Sequence, residues 1–448
     1  MRWLCLLVSF VSVACGGGPE VFCVPETCNG ADEDCDGTVD EGDVCACTDE
    51  FQGDCNGELV DGCEAHLNSN AANCGSCGNA CSASELCVEG RCLEGAATSV
   101  ATPGEDRLYI VLRDDDLVAI DGRSAGAIRR YSHELALSGM SVATTGDPNA
   151  RFADGCVVGG SAWIPVAAGD NFSVEGMIVS AGASRIAFDE GGAASLTRIG
   201  EEGVSERNLS GFSCSSGRGV IRYDRGDGSP EGVVTVVGAE GPVFSTVPDG
   251  RVVARPLQDS TATWVLLEDD DGTNRRLVGL GADGSVQSET PFPAVEVSEW
   301  LRTSERSFVV ATPNGELFSF NDDGVEQWQR TLGVTTSTMH LATAGRSIFV
   351  VGVLPEEGGR VAERAFRNEG TREDLVLSEF STTGEPRGVW RVGGPSAEAP
   401  IDIEVDPVSV FISATYAAGD FDSVEPPLAG EGAIDALLLR LDRASLPR

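Results

Sequence analysis

The sequence contains no lysine. All 31 basic residues are arginine, and they stand against 71 acidic residues, which gives the 448-residue chain a net charge of -40. A phosphate backbone or an anionic lipid surface would be repelled by this charge, and no basic stripe offsets it, so nucleic-acid binding is not expected. Only His66, His133 and His340 could supply imidazole ligands, so zinc or copper sites built on histidine are not expected.

Catalytic motifs are equally scarce. The chain has no G-x-S-x-G and no H-E-x-x-H, and no recognisable motif surrounds the three histidines. The stretch GLGADG (279–284) fits G-x-G-x-x-G, but it lies between two strand-like runs and no helix follows it, so it does not predict phosphate binding. The sequence therefore predicts a protein without enzymatic activity.

The part after residue 95 also lacks a convincing amphipathic helix. Short runs rich in β-branched and aromatic residues predict strands, as in RLYIVL (107–112), TWVLLE (263–268) and SIFVVGV (347–353). Between such runs lie turn sequences such as GADGS and TPNGE, which favour tight hairpins. An all-β architecture of antiparallel hairpins follows.

These hairpins recur at a loose period. About 350 residues divided into units of about 40 to 60 gives roughly six to eight units, the range of β-propeller blades. We predict a propeller of about seven blades over 96–448, with a pair of stacked β-sandwiches as the alternative. A propeller ring must be closed, so the strand near 97–102 should pair with the last blade.

The last two units resemble the bacterial β-propeller repeat found in exported proteins. Its pattern is a strand ending in a small residue, an insertion, an Asp-led strand, a Gly turn and Trp. The matching residues are Val350, Gly352, Asp374, Gly384 and Trp390, followed by Phe411, Ala414, Asp435 and Asp442. The resemblance implies an exported propeller protein.

The first residues, MRWLCLLVSFVSVAC, combine one arginine with an apolar run too short to span a membrane as a mature helix. They resemble a bacterial lipoprotein signal, which implies removal of residues 1–14, lipidation of Cys15 and a tether over 15–22. Gly16 is not the aspartate that commonly retains lipoproteins at the inner membrane, so the resemblance favours the outer membrane. An ordinary secretory signal is the alternative; both send the protein out of the cytoplasm.

Cysteine is concentrated in one short stretch: twelve of the sixteen cysteines lie between Cys23 and Cys92. In an exported chain such density predicts disulfides, since a stretch of this kind cannot build its own core. Zinc binding by Cys74-x2-Cys77 with Cys87-x4-Cys92 is the alternative, and the connectivity stays open. The disulfide candidates are Cys23, Cys28, Cys35, Cys45, Cys47, Cys55, Cys63, Cys74, Cys77, Cys81, Cys87, Cys92, Cys156 and Cys214. The last two would form a bridge if their Cα atoms lie within about 7 Å.

An acidic segment, DEDCDGTVDEGD, begins at Asp32. A calcium-binding loop places oxygen ligands at positions 1, 3, 5, 7, 9 and 12 and a glycine at position 6. Gly37 falls on position 6, and the ligand positions are filled by Asp32, Asp34, Asp36, Thr38, Asp40 and Asp43. We therefore predict a Ca²⁺ site, weakened by Asp43 where a bidentate Glu is usual; a solvated acidic linker is the alternative.

Two family resemblances fall on this segment. The spacing from Asp32 to Cys45 looks like the thrombospondin type 3 repeat, a calcium-binding and disulfide-linked repeat. The phrase CNGADEDCDGTVDE (28–41) resembles the motif named for the copper-binding surface protein MopE, common in exported myxobacterial proteins. Carboxylate oxygens suit calcium better than copper. The stretches at 54–64 and 73–92 resemble the Cys-rich repeats of such surface proteins and the Stig1 module.

The predicted domain order is a signal peptide (1–14), a lipidated tether (15–22), a calcium-binding motif (23–47), a disulfide-rich module (48–95) and a propeller (96–448). The expected function is that of a non-enzymatic surface lipoprotein, held in the outer membrane by its lipid alone and facing outside or the periplasm. Its calcium-stabilised stalk would present the propeller to a surface protein or glycan. The alternative is a propeller enzyme of the quinoprotein dehydrogenase or glycan lyase type.

Overall fold

The structure is a computed structural model. It describes residues 25, 32, 34–40, 42, 44–47, 51–58, 62–100, 108–113, 116–121, 127–144, 151–168, 172–174, 177–179, 182–189, 193–200, 209–215, 217–223, 232–269, 271–333, 335–354, 359–362, 364–366, 374–393, 398–417, 421–428 and 434–447. Within these residues no helix is long and apolar enough to cross a membrane.

Two compact units make up the chain, Met1–Ala65 and His66–Arg448. The described part of the first unit consists of the acidic segment, strand β1 (Gln52–Gly53) and a bridge between Cys47 and Cys63. Strand β2 (Ala65–His66) lies where the two units join in sequence. The predicted boundary at residues 47 and 48 falls inside this first unit.

The second unit is all-β apart from one 3-10 turn, Ala71–Asn73, in its described residues. It begins with β3 (Glu85–Val88) and β4 (Arg91–Val100), and seven antiparallel sheets follow in chain order as the blades of a propeller. Blade 1 contains β5 (Leu108–Arg113), β6 (Asp116–Asp121), β7 (Ala127–Ser132) and β8 (Leu137–Thr144). Blade 2 contains β9 (Arg151–Phe152), β10 (Cys156–Val158), β11 (Ser161–Ala168), β14 (Gly182–Phe188) and β15 (Ala194–Arg198). Between β11 and β14 the chain forms a hairpin of β12 (Phe172–Val174) and β13 (Met177–Val179). That hairpin pairs with β8 and extends blade 1.

The middle blades contain four or five strands each. Blade 3 contains β16 (Ser213–Ser215), β17 (Arg218–Tyr223), β18 (Val233–Gly238) and β19 (Gly241–Thr246). Blade 4 contains β20 (Arg251–Val252), β21 (Leu257–Gln258), β22 (Thr263–Glu268), β23 (Arg275–Leu280) and β24 (Val286–Phe292), with β20 and β21 both paired to β22. Blade 5 contains β25 (Glu299–Arg302), β26 (Phe308–Ala311), β27 (Glu316–Phe320) and β28 (Glu326–Thr331).

The last two blades carry the segments that resemble the propeller repeat. Blade 6 contains β29 (Thr335–Ala344), β30 (Ser347–Leu354), an inserted hairpin of β31 (Gly359–Val361) and β32 (Arg364–Phe366), then β33 (Asp374–Ser381) and β34 (Pro386–Val392). Blade 7 contains β35 (Glu398–Val405), β36 (Ser409–Ala417) and β37 (Ile434–Asp442). The prediction of seven blades is confirmed.

Ring closure uses the start of the second unit. Strand β4 pairs antiparallel with β37, from Gly95 opposite Leu441 to Val100 opposite Ala436, and β3 adds a further outer strand. The prediction that the strand near 97–102 pairs with the last blade is confirmed. Because β4 runs from residue 91 to residue 100, the predicted boundary between 95 and 96 lies within a single strand.

The Cys-rich segment that precedes β4 packs on blade 7. The backbone N–H of Ala71 donates to the carbonyl of Asp422 at 2.8 Å, and that of Cys87 donates to the carbonyl of Ser423 at 2.9 Å. Two disulfides, Cys74–Cys87 and Cys81–Cys92, fix this segment. Residues 66–95 therefore belong to the propeller unit.

Apolar clusters fill the space between neighbouring blades. Strands β14, β30 and β33 are buried along their whole length because each has a blade on both faces. Trp264 of blade 4 meets Phe308 of blade 5 edge-on, with ring centroids 5.2 Å apart. The expectation that the tryptophans pack between blades is confirmed for this residue.

Arginine side chains add polar links between blades. Arg185 of blade 2 donates to the carbonyls of Gly238 at 2.7 Å and Ala239 at 2.9 Å in blade 3. Arg330 of blade 5 donates to the carbonyl of Gly384 in blade 6 at 2.7 Å. The planar guanidinium, which holds several donors in a fixed geometry, suits these paired carbonyls better than an ammonium would.

Candidate functional site

A cavity of about 230 Å³ lies among the innermost strands of the propeller. All seven blades contribute to its lining. In chain order, one residue of each is Tyr109, Asp154, Gly211, Arg255, Glu299, His340 and Asp402. Pockets for drug-sized molecules occupy about 300 Å³ or more, and a water takes about 30 Å³. The cavity therefore has room for a small ligand or for several waters.

Local packing sets the positions of Asp154 and Arg255. Asp154 lies between β9 and β10, and its carbonyl accepts the N–H of Phe212 at 2.9 Å. Gly211 is required beside it, since a Cβ there would lie 2.8 Å from the Cβ of Asp154. The indole N–H of Trp300 donates to the carbonyl of Arg255 at 2.5 Å, so an aromatic residue of blade 5 fixes the backbone of blade 4.

A chain of charged side chains crosses the cavity. One guanidinium nitrogen of Arg255 pairs closely with Oδ2 of Asp154, and the other lies 3.1 Å from Oε1 of Glu299. The second oxygen of Glu299 lies 3.3 Å from Nδ1 of His340. Four blades are joined in this way: blade 2, blade 4, blade 5 and blade 6.

The charges within this row of side chains determine which of them are ionised. Burial acts to raise the pKa of Glu299, but the hydrogen bond from His340 and the charge of Arg255 outweigh it, and the pKa is lowered. Burial likewise acts to lower the pKa of Arg255, but Glu299 and Asp154 outweigh it, and the pKa is raised. Glu299 and Arg255 are therefore both ionised at neutral pH.

A second acidic pair lies on β35, where Asp402 and Glu404 share one face of the strand. Oδ2 of Asp402 accepts the N–H of Ile110 in blade 1 at 3.0 Å, and its Oδ1 accepts the N–H of Ile403 at 2.9 Å. Burial, reinforced by the negative charge of Asp154, raises the pKa of Asp402 well above its usual value and that of Glu404 to about 8.

The pKa of Asp154 is also raised, but to a lower value than that of Glu404. Burial raises its pKa to about 6, although the neighbouring Arg255 opposes the shift. Carboxyl groups that retain a proton near neutral pH, next to carboxylates that do not, are typical of functional sites in clefts. The central cavity is therefore the strongest candidate site in the described part of the propeller.

Sequence reasoning did not find these residues, because each stands alone on a different blade. One signal was present: IDIEV (401–405) alternates apolar and acidic residues. This alternation is that of a strand with one face packed and the other turned to a polar cavity.

The predicted calcium ligands lie in the first unit. One oxygen each from Asp32, Asp34 and Asp36 falls within 4.8 Å of the others. The loop is curled by its own carboxylates: Asp32 accepts the N–H of Gly37 at 3.0 Å, and Asp36 accepts the N–H of Thr38 at 2.8 Å. Carboxylate oxygens are ligands that Ca²⁺ prefers, and these three would supply part of its usual set of about six to eight.

The remaining predicted ligands stand apart from this group or beyond the described residues. Asp40 is buried, with φ at 55°, and does not belong to the group of three carboxylates. Asp43 lies outside the described residues. The hydrogen bonds from Thr38 lower the pKa of Asp36, which keeps this carboxylate ionised.

Disulfides account for the described cysteines, as expected for a disulfide-rich N-terminal region. The Cα atoms of Cys156 in blade 2 and Cys214 in blade 3 lie 5.9 Å apart across a bridge, within the distance that the sequence analysis required. The other pairs are Cys47–Cys63, Cys74–Cys87 and Cys81–Cys92, and Cys35, Cys45, Cys55 and Cys77 are also disulfide-bonded. All four cysteines of the zinc alternative, Cys74, Cys77, Cys87 and Cys92, are disulfide-bonded, so none of them is a thiolate that could bind zinc. Cys15, Cys23 and Cys28 lie outside the described residues.

Comparison with known proteins finds structural likeness alone. No protein-family model matches the chain, and no curated protein matches it. Among solved structures, BamB from Moraxella catarrhalis is 13% identical, with 77% of this chain and 97% of that chain covered and a TM-score of 0.41. The WD40 propeller domain of Doa1 is 11% identical, with coverage of 76% and 95% and a TM-score of 0.46. Streptogramin B lyase is 10% identical, with coverage of 78% and 98% and a TM-score of 0.45. The propeller architecture is established by the strand pairing and not by these scores.

Proposed function

We propose that this chain is an exported, non-enzymatic binding protein whose propeller takes its ligand in the central cavity. The observation that carries the proposal is the convergence of residues from all seven blades on a single cavity. Carboxyl groups with shifted pKa values that lie in a cleft support a ligand site there. The ligand itself would be a small molecule or the protruding group of a surface protein or glycan.

The N-terminal region completes the proposal. Ca²⁺ bound by Asp32, Asp34 and Asp36 would hold the acidic loop in its curled form, and the disulfides would hold the segments around it. Lipidation at Cys15 would anchor the chain in the outer membrane, with the propeller outside or in the periplasm. Calcium supplies rigidity here and takes no part in ligand binding.

The cavity is tested by a binding screen of the full chain against glycans, small molecules and isolated surface proteins. A ligand found for the wild type should lose at least tenfold in affinity in Glu299→Gln, because that change removes the charge holding both Arg255 and His340. Glu385→Gln, at an exposed turn, is the matched control and should bind as the wild type does. A ligand whose affinity is the same in all three proteins, each with native circular dichroism, would refute the cavity as its site.

The calcium site is tested by isothermal titration of the full chain. The wild type should bind Ca²⁺, and Asp34→Ala should remove this binding, whereas the control Asp323→Ala, at an exposed turn, should not. Equal heats for the two variants would show that the acidic loop does not bind calcium.

A propeller enzyme is the second candidate, favoured by one observation. Nδ1 of His340 is bound to Glu299, which leaves Nε2 for a ligand, and an imidazole oriented by a carboxylate is the arrangement of a general base. A glycan or ester ligand that is converted by the wild type but only bound by His340→Asn would establish this function. Binding without conversion by either protein would leave the binding function.

A further inference from the structure

We propose that the propeller has a second binding site, a side pocket between blades 3 and 4 that takes a hydroxylated carboxylate of about the size of one sugar ring, such as a uronic acid. Among the described residues, the side pocket and the central cavity have no lining residue in common. The second site therefore stands or falls independently of the proposed function.

The side pocket has a volume of about 280 Å³ and lies among the ends of several strands. Ser215 and Arg218 flank the turn between β16 and β17 in blade 3. Blade 4 contributes residues 258–263, around the turn between β21 and β22, and residues 280–282 at the end of β23. Ligand pockets usually occupy about 300 to 1,000 Å³, so this volume suits a single sugar ring and not an oligosaccharide.

The guanidinium of Arg218 forms the donor side of the side pocket. This side chain is half-buried, and it makes no hydrogen bond or ion pair with any residue in the described part of the chain. Arg255 in the central cavity differs, since Asp154 and Glu299 engage it on both sides. A guanidinium presents its N–H groups as a planar fork that matches a carboxylate with two parallel hydrogen bonds. A carboxylate on the ligand would thus satisfy donors that the chain leaves unused.

Asp259 supplies the one carboxylate among the described lining residues, and its oxygens are already occupied. Oδ1 accepts the N–H of Thr261 at 2.6 Å, its hydroxyl at 2.7 Å and the N–H of Ala262 at 2.8 Å. Oδ2 accepts the indole N–H of Trp264 at 2.8 Å and pairs with Arg302 at 2.6 Å. Burial acts to raise the pKa of Asp259, but the hydrogen bonds outweigh it and the pKa is lowered. This carboxylate therefore fixes its own turn and leaves no acceptor for a cationic ligand.

Threonine hydroxyls of blade 4 form the acceptor side of the side pocket. Such a hydroxyl has one proton to donate and two lone pairs to accept with. Thr261 donates its proton to Asp259, and Thr263 donates to Oε1 of Gln258 at 2.7 Å. The orientation of the Gln258 amide is set by its Nε2, which donates to the carbonyls of Asp259 at 2.8 Å and Ala262 at 3.2 Å. Both hydroxyls can therefore only accept hydrogen bonds from a ligand.

A ligand that suits both sides carries an anionic acceptor at one end and O–H donors at the other. A uronic acid has a carboxylate and several hydroxyls on one ring. A neutral sugar lacks the group that pairs with Arg218, and a simple dicarboxylate lacks the donors for the threonine hydroxyls. The two sides together thus select a hydroxylated carboxylate.

Two more carboxylates lie close to the side pocket, and both have partners. Asp283, in the turn after β23, is exposed and accepts the N–H of Ser285 at 3.0 Å and its hydroxyl at 2.6 Å. Asp322 pairs with Arg302 at 2.8 Å. The chain as a whole has a net charge of -40, so an anion gains no general attraction from it. Binding of an anion would therefore report the local contact with Arg218.

The experiment is a ligand-observed NMR titration of the full chain at pH 7. Glucuronate is compared with glucose and glucosamine, which share its ring, and with succinate and inorganic phosphate, which share its negative charge. Glucuronate should bind about tenfold more tightly than each of the others. Arg218→Gln should weaken this binding about tenfold or more, because hydrogen bonds to charged groups are the strong ones. Arg91→Gln removes the same charge at an exposed arginine and should not change it.

A second pair of variants tests the acceptor side. Thr261→Val removes the hydroxyl and should weaken glucuronate binding about threefold or more, whereas Thr261→Ser keeps the hydroxyl and should bind as the wild type does. Equal binding by both variants would overturn the role of this hydroxyl and with it the selection of a hydroxylated ligand.

The other outcomes are equally decisive. Equal affinity of glucuronate for the wild type and Arg218→Gln, each with native circular dichroism, overturns the site. Binding of glucose as tight as that of glucuronate, or of phosphate or succinate in its place, overturns the ligand class. A loss of glucuronate binding in Glu299→Gln but not in Arg218→Gln would place this ligand in the central cavity, which would support the proposed function and overturn the second site. If no probe binds, the second site is overturned, and the screen against the central cavity still decides the proposed function.

Discussion

Replacing Glu404 with glutamine should make the propeller more stable at pH 8 and leave its stability almost unchanged at pH 4.5. Burial first, and then the negative charge of Asp154, raises the pKa of Glu404 from 4.5 to about 8. Between these two values the unfolded chain has lost the proton that the folded chain keeps. The contribution of Glu404 to folding therefore becomes less favourable as the pH rises from 4.5, and it levels off above pH 8.

The size of the effect follows from the same shift. Each pKa unit corresponds to about 1.4 kcal/mol, so a shift from 4.5 to about 8 gives an upper bound of about 4 kcal/mol at pH 8. Relaxation and water penetration reduce such penalties in real proteins, and we expect about 2 to 4 kcal/mol. For a unit of this size that corresponds to a rise of about 3 to 5 °C in Tm.

The assay is urea unfolding, followed by tryptophan fluorescence, of the wild type and Glu404→Gln at pH 4.5 and pH 8. Asp154 and Asp402 add pH dependence to both proteins, so the quantity that matters is the difference between the two proteins at each pH. Glu385→Gln should show the same difference at both pH values. The reasoning is refuted if Glu404→Gln is no more stable than the wild type at pH 8, or if its advantage is as large at pH 4.5.

Three further predictions concern the contacts that hold the propeller together. Gly384→Ala should lower the free energy of unfolding by about 2 kcal/mol or more in urea titrations, since the new Cβ would lie 2.5 Å from the ring of Trp328 and φ is +78°. Gly345→Ala is the control: its φ is +62° but the space around it is open, so it should show only the backbone cost of about 1 kcal/mol. Arg185→Lys should lower the free energy of unfolding by about 1 to 3 kcal/mol in the same assay, because an ammonium cannot reach both carbonyls of blade 3. A loss no larger than that of Arg91→Lys, a change at an exposed arginine, would contradict this role. Replacing both cysteines of the Cys81–Cys92 bridge with serine should cost about 3 kcal/mol by the entropy of the freed loop, and an unchanged Tm would show that β3 and β4 are held without it.

The architecture could be predicted from the sequence because its determinants are local. The turn sequence in TPNGE (312–316) and the runs SFVVAT (307–312) and ELFSF (316–320) specify a hairpin within a few residues of each other. Repetition of such hairpins indicates the blade number, and the need to avoid a free edge indicates which strand closes the ring. These inferences need no knowledge of distant contacts.

The cavity could not be predicted because its residues share no local pattern. Asp154 and Arg255 are about a hundred positions apart, and each follows an ordinary strand or turn. Their charges are paired only once the ring has formed, and the perturbed pKa of Asp154 arises from that assembly. The predicted end of the Cys-rich region falls inside strand β4, because cysteine content indicates disulfides and not the sheet to which a strand belongs.

The closure of the ring by β4 and β37 sets the order in which the protein can mature. Asn70 and Asp422 are hydrogen-bonded although 352 positions separate them, and β4 finds its partner only in the last strand of the chain. Because the chain is synthesised from its N-terminus, the Cys-rich segment emerges early, and its disulfides can form before the rest of the ring exists. The strand next to it must then wait, with one edge unpaired, until the final residues arrive. A protein interrupted before residue 436 would thus carry oxidised cysteines and an open ring, and its exposed strand edge would be a target for quality-control proteases or for aggregation.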